Sequence, residues 1–256
     1  MNTGTADRLW SLCTSAAPPA LPGDWIGAWS LAPASLVAVA LLAAIGLCHR
    51  ATDSAARRRQ AWWWTGVALM VLALLSPLCR LGATLVAGHM AQLMLIATAA
   101  GAALAAGSVP RHIPWRPTPA AAAYSAVLWG WHLPPVYAAT LTDPAIHAAA
   151  YVALAAVSWW FWCAVLQAPA ARRGAAFSAL GFTVVHTGLL GALLTFAPVA
   201  YYPLQTGGAT AWGLSPLEDQ QLAGLLMWIP GGIVYGGAAF ALALRWLEPP
   251  ADTAPA

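Results

Sequence analysis

Long apolar runs alternate with short polar breaks along the 256 residues of this chain. Seven of the runs approach the 20 or so residues that a bilayer-crossing helix needs: 31–48, 61–79, 84–106, 119–139, 145–168, 174–197 and 216–245. The pattern predicts an all-α, polytopic integral membrane protein of about seven transmembrane helices in one bundle. In that reading residues 1–30 form an external N-terminal segment, 31–245 the transmembrane domain and 246–256 a cytoplasmic tail.

Composition supports a lipid environment. The chain is 61% hydrophobic and 7% charged, with mean hydropathy +0.68, whereas a soluble domain carries roughly a quarter charged residues. All 11 basic residues are Arg, so no lysine is present to form a Schiff base with retinal or a carbonyl substrate. Basic residues gather in alternate breaks. Arg50, Arg57, Arg58, Arg59, Arg111, Arg116, Arg172, Arg173 and Arg245 fall on one side, and Arg8 and Arg80 on the other. Cytoplasmic loops carry the arginine excess, so the N-terminus is expected outside and the C-terminus in the cytoplasm, in a membrane crossed several times. The charge contains no run beyond Arg57–Arg59 and predicts no nucleic-acid partner.

Local signals sharpen the helix ends. Asp143-Pro144 places a capping carboxylate before a proline at the first helical position. Ser215-Pro216-Leu217-Glu218 has the spacing of a capping box. Trp62, Trp63, Trp64 and Trp246 sit where aromatic belts meet the headgroups. Leu133-Pro134-Pro135 and Ile229-Pro230-Gly231 are predicted to break the helical ladder inside spans, freeing carbonyls that need another partner. The connection 198–214 is the longest external loop and reads as a lid or docking surface. Cys13 and Cys79 fall on the same outer side, where they can pair, supply thiolates or stand alone.

Candidate chemistry comes from histidine and methionine. His89, His132, His147 and His186 lie within spans, and ionisable groups there tend to face the bundle interior. At the helical rise, His147 lies near the outer boundary, with His89 about 7 Å, His132 about 10 Å and His186 about 16 Å below it. Met90 adjoins His89, and Met227 falls about 16 Å into the last helix. Imidazole and thioether together suit copper, with thioether favouring the reduced ion. Asp219 either serves a helix N-terminus or adds a carboxylate ligand. Each histidine is also readable as an interhelical hydrogen-bond partner and each methionine as core filling. Neither a nucleophile with an adjacent base nor a phosphate-binding glycine loop occurs in the spans, so catalysis is not expected.

Five strings then carry a resemblance. Gly88-His89-Met90-Ala91-Gln92-Leu93-Met94-Leu95, Trp129-Gly130-Trp131-His132-Leu133-Pro134-Pro135-Val136-Tyr137, Asp143-Pro144-Ala145-Ile146-His147, Gly191-Ala192-Leu193-Leu194-Thr195-Phe196 and Leu217-Glu218-Asp219-Gln220-Gln221-Leu222-Ala223-Gly224-Leu225-Leu226-Met227-Trp228-Ile229-Pro230-Gly231-Gly232 resemble the CtaG family of cytochrome c oxidase assembly factors, of the caa3 type. The likeness runs over about 84–245. It implies a multi-pass factor of the bacterial plasma membrane for maturing a haem-copper oxidase in respiratory-chain biogenesis, one that handles copper in the outer half of the bundle. His89, His132 and His147 are the first ligands expected, with Met90, His186, Asp219 and Met227 available to complete a site. Oxidase subunits and a copper chaperone are the partners implied, beside membrane lipid. In that family a second His often stands four residues after the first. Here that place is Leu93, and the residue one turn after His147 is Tyr151. Two other readings of the histidines remain: a bis-histidine haem protein and a metal-free chaperone of an oxidase subunit.

Overall fold

A computed structural model describes residues 12–49, 52–108 and 116–247. Arg8, Arg50, Arg111 and His112 lie outside the described residues, as do the side chains of Arg245 and Trp246. Among the described residues the secondary structure is entirely helical. In chain order the helices are α1 (Pro33–Cys48), α2 (Ser54–Leu74), α3 (Pro77–Thr84), α4 (Val86–Gly107), α5 (Pro117–His132), α6 (Pro134–Thr142), α7 (Pro144–Leu166), α8 (Arg173–Thr195), α9 (Thr206–Ala211) and α10 (Pro216–Leu247).

Four helices are long and apolar enough to cross a membrane: α4, α7, α8 and α10. A fifth crossing results if α2 and α3, bent by 45° at their junction, count as one. α1 is apolar but has 16 residues, and α5 and α6 have 16 and 9. Every expected span thus coincides with helix, while membrane-spanning length is met by four or five of them. Phe182, Val185, Leu189 and Leu193 on α8, and Ile229, Ile233 and Phe240 on α10, are exposed. Such continuous apolar faces suit hydrocarbon.

Breaks and caps have local causes. Asp143 Oδ1 accepts from the N–H groups of Ala145 (2.7 Å) and Ile146 (3.1 Å), opening α7 as expected. At α10 the Ser215 N–H donates to Glu218 Oε2 (2.8 Å) while the Glu218 N–H donates to Ser215 Oγ (3.2 Å), completing the capping box. Ser76 Oγ accepts from the Leu78 N–H at the α2–α3 bend, where Pro77 cannot continue the preceding ladder. Leu133 is extended ahead of Pro134, and this separates α5 from α6. Pro230, in contrast, lies within an unbroken α10, so the break expected there is not formed.

α4 occupies the centre, with 72% of its apolar window buried, compared with 17% for α10 at the periphery. Its middle, Leu95–Ala100, widens to a π-helix. The Ala97 carbonyl there accepts from Ser158 Oγ (2.6 Å) and Trp162 Nε1 (2.9 Å) of α7, an example of a side chain satisfying backbone that a perturbed ladder leaves free. α8 lies closely along α10. A Cβ on Gly191 would stand 2.8 Å from the Gly224 carbonyl oxygen, so only glycine permits that approach.

Candidate metal site

The cluster begins where α4 starts. Asp219, buried on α10, accepts from the Val86 N–H through Oδ2 (2.8 Å) and from the Ala87 N–H through Oδ1 (2.9 Å). The last helix therefore caps the central one, and Asp219 serves a helix N-terminus other than its own. One turn further along α4 come His89 and Met90, both buried.

His132 is the last residue of α5, directly before the Leu133-Pro134 break. Its Nδ1 lies 2.6 Å from the Leu128 carbonyl oxygen. A carbonyl cannot donate, so Nδ1 carries the proton and Nε2 of the neutral ring is a bare lone pair. That Nε2 stands 3.1 Å from Met90 Sδ. His147, in the first turn of α7, has Nδ1 3.0 Å from the Thr140 carbonyl oxygen, which likewise leaves Nε2 free to accept. His89 lies beside the Gly82 backbone of α3 and near both His132 and His147. Its Nδ1 is buried without a hydrogen-bond partner. His132 and His147 thus each donate one N–H to a backbone carbonyl and keep one unshared lone pair, the arrangement that metal-binding histidines adopt, and His89 keeps Nδ1 unpartnered beside them.

His89, His132, Leu93, Leu128, Tyr151 and Leu154 line a cavity with room for about one water-sized sphere. The 198–214 connection packs against the residues around it. Tyr202 Oη donates to the His132 carbonyl (2.9 Å), one of those left by the helix break. Gln205 Nε2 donates to the Gly82 carbonyl (2.7 Å), and its Oε1 accepts from Tyr137 Oη (2.7 Å). The Tyr137 ring lies 4.9 Å from that of His89 and 4.1 Å from that of Tyr202. Above this layer Cys13 and Cys79 form a disulfide, resolving the alternatives left by their positions in the sequence.

The remaining candidates lie apart from this cavity. His186 is buried between α8 and α5, its ring 4.9 Å from Phe182 and 6.1 Å from Tyr124, and both its nitrogens lack hydrogen-bond partners. Met227 is fully buried in the apolar core. Among the described residues no group of three or more His, Cys, Asp or Glu side chains stands in metal-holding geometry. The cavity wall carries two imidazoles, His89 and His132, and the Met90 thioether adjoins the second of them. The sequence reading assigned no role to Gln92 or Tyr137, placed Tyr202 and Gln205 only within the 198–214 loop, and treated Tyr151 only as a missing histidine. The available signal was a polar side chain inside an apolar run, as at Gln92, three residues after His89.

These features define a helical membrane protein with a buried imidazole and thioether cluster roofed by a loop. Residues 39–248 match the family model described as cytochrome c oxidase caa3 assembly factor (Caa3_CtaG), and the chain belongs to that family. No curated protein and no solved structure matches the chain.

Proposed function

We propose that this chain matures a haem-copper cytochrome c oxidase by holding copper transiently at His132 and Met90, with His89 and His147 alongside. The observation that carries the reading is the 3.1 Å approach of His132 Nε2 to Met90 Sδ. With the ring proton committed to the Leu128 carbonyl, two electron-pair donors face one another with no hydrogen between them. A soft monovalent cation converts that contact from repulsive to ligating, and the thioether selects reduced copper. The space available suits one ion and excludes a porphyrin, which weighs against the haem reading. The role is that of a carrier and not of an enzyme.

The arginine distribution supports seven spans with the N-terminus outside a bacterial plasma membrane, and the histidine cavity then lies toward that outer face. Oxidase subunits receive the copper there, and a soluble copper chaperone supplies it. To test the reading, the purified protein is loaded anaerobically with Cu(I) and its stoichiometry compared with His132→Ala, Met90→Leu and His89→Ala. Near-stoichiometric uptake in the parent and loss in the first two variants is expected. Equal uptake in all four proteins, or none in the parent, overturns the copper assignment. In cells, deletion of the gene should yield oxidase depleted of copper, and a fully metallated oxidase refutes the assembly role.

A further inference from the structure

A second cavity lies beside the first. It has a volume of about 260 Å³, opens between α1, α2 and α7, and is lined by Leu12, Ala38, Met70, His147, Tyr151 and Val152, among others. Tyr151 is the residue common to both cavities. Its ring stands between two of the candidate ligands, 4.6 Å from the His147 ring and 6.1 Å from the His89 ring. A single hydrogen bond, from its hydroxyl to Gln92 Oε1 (2.7 Å), holds the phenol in place. At the loop end, Tyr137, Tyr202 and Gln205 pack against the histidines, Tyr137 on the His89 ring and Tyr202 on the His132 carbonyl.

The mouth of the lateral cleft is also held. Leu12 lies against it, and the next residue, Cys13, is bonded to Cys79 of α3. Both the Ser15 N–H (2.8 Å) and Ser15 Oγ (2.9 Å) donate to the Leu141 carbonyl of α6. This strap crosses from α3 to α6, the two helices whose Gly82 and Thr140 backbones lie beside His89 and His147.

We infer that the histidine cavity is entered sideways, from the cleft between α1 and α7, by rotation of Tyr151, and that the Cys13–Cys79 strap latches the mouth of that route. Side chains exchange between staggered rotamers without backbone motion, so the partition opens by breaking one hydrogen bond. Opening the roof requires several bonds to break together. His147, on the cleft side of the partition, is then the first ligand an entering ion meets, and His89, His132 and Met90 follow. The inference rests on the copper reading for its cargo but not for its geometry.

An accessibility measurement separates the two. Ala150→Cys places a thiol on the wall of the histidine cavity in a Cys48→Ser background, and a small lipid-soluble maleimide reports its exposure by mass spectrometry. Tyr151→Ala should speed labelling about tenfold, the scale of one lost hydrogen bond, and Tyr151→Phe by less. Ala38→Trp, which fills the cleft, should slow it, and the double substitution Cys13→Ser/Cys79→Ser should speed it. Labelling indifferent to Ala38→Trp and accelerated by Tyr202→Ala instead places the entrance under the loop and overturns the inference. Cu(I) loading rates should follow the same order. Labelling in the expected order without any Cu(I) uptake sinks the copper reading and leaves the lateral route standing.

Discussion

Asp219 offers the sharpest test of how the site is supported. Its two carboxylate oxygens accept from the first two N–H groups of α4, at 2.8 and 2.9 Å, and the side chain is 1% exposed. Asp219→Ala leaves both donors buried with nothing to bond, at about 1–3 kcal/mol each. The favourable placement of a carboxylate at a helix N-terminus adds about 0.3–1 kcal/mol to what is lost. The metal-free protein should therefore lose roughly 2–7 kcal/mol, read from tryptophan fluorescence during denaturant titration in detergent micelles. Asp219→Asn keeps one acceptor oxygen and turns an amide N–H₂ toward the other donor, so about half the loss is expected. Because His89 and Met90 lie in the next turn of α4, copper loading should fall in parallel with stability. A metal-free Asp219→Ala protein within about 0.5 kcal/mol of the parent, the usual range of an inconsequential substitution, refutes the cross-helix cap. If copper loading alone falls, Asp219 is acting as a ligand.

Two further perturbations probe the layers above the cavity. Cys79→Ser opens a loop of sequence separation 66; the chain-entropy account puts the loss at about 4 kcal/mol as an upper bound, since a bilayer already restrains the unfolded helices. Denaturant titration with and without a reducing agent measures it, and a parent protein insensitive to reduction refutes it. In Gly208→Ala the new Cβ would lie 2.0 Å from the Thr84 carbonyl oxygen. The overpacking should cost about 1–3 kcal/mol and lift the loop off α3, raising proteolysis between Tyr202 and Leu214; unchanged digestion counts against a close-fitting roof.

The helices were legible because lipid leaves little freedom: a run of apolar residues must satisfy its own backbone, and helix does so locally. The caps at Asp143 and Ser215 were legible for the same reason, each lying within three residues of the groups it serves. Asp219 was not, since its partners are more than 130 residues away. Pro230 misled because the cost of a missing N–H is local, whereas its tolerance depends on neighbouring helices. Depth along the helices placed His89, His132 and His147 in the outer half of the bundle, but depth carries no azimuth. It left open that Tyr151 would stand between His147 and His89, and that His186 would face Tyr124. The disulfide was undecided for the same reason, as pairing requires the two Cα atoms to meet, here at 5.6 Å.

Leu93 is where sequence and structure bear most directly on one another. The family resemblance placed a frequent second histidine there, and the structure puts Leu93 on the cavity wall beside His89. Residues four apart share a helix face, so Leu93→His would turn a second imidazole of α4 toward the same space without adding much bulk. If the free lone pairs of His89 and His132 converge on that cavity, one added nitrogen donor should raise Cu(I) affinity by roughly tenfold or more, the scale of about 1.4 kcal/mol. Competition against a chromophoric Cu(I) chelator measures it. Leu93→Asn is the control, since it introduces comparable polarity with a poor soft-metal ligand and should not tighten binding. A folded Leu93→His protein that binds copper no more tightly than the parent shows that the lone pairs do not share a centre. In that case the close approach of His132 to Met90 is packing, and the chain's role in oxidase assembly must be sought in the helices' outer surfaces.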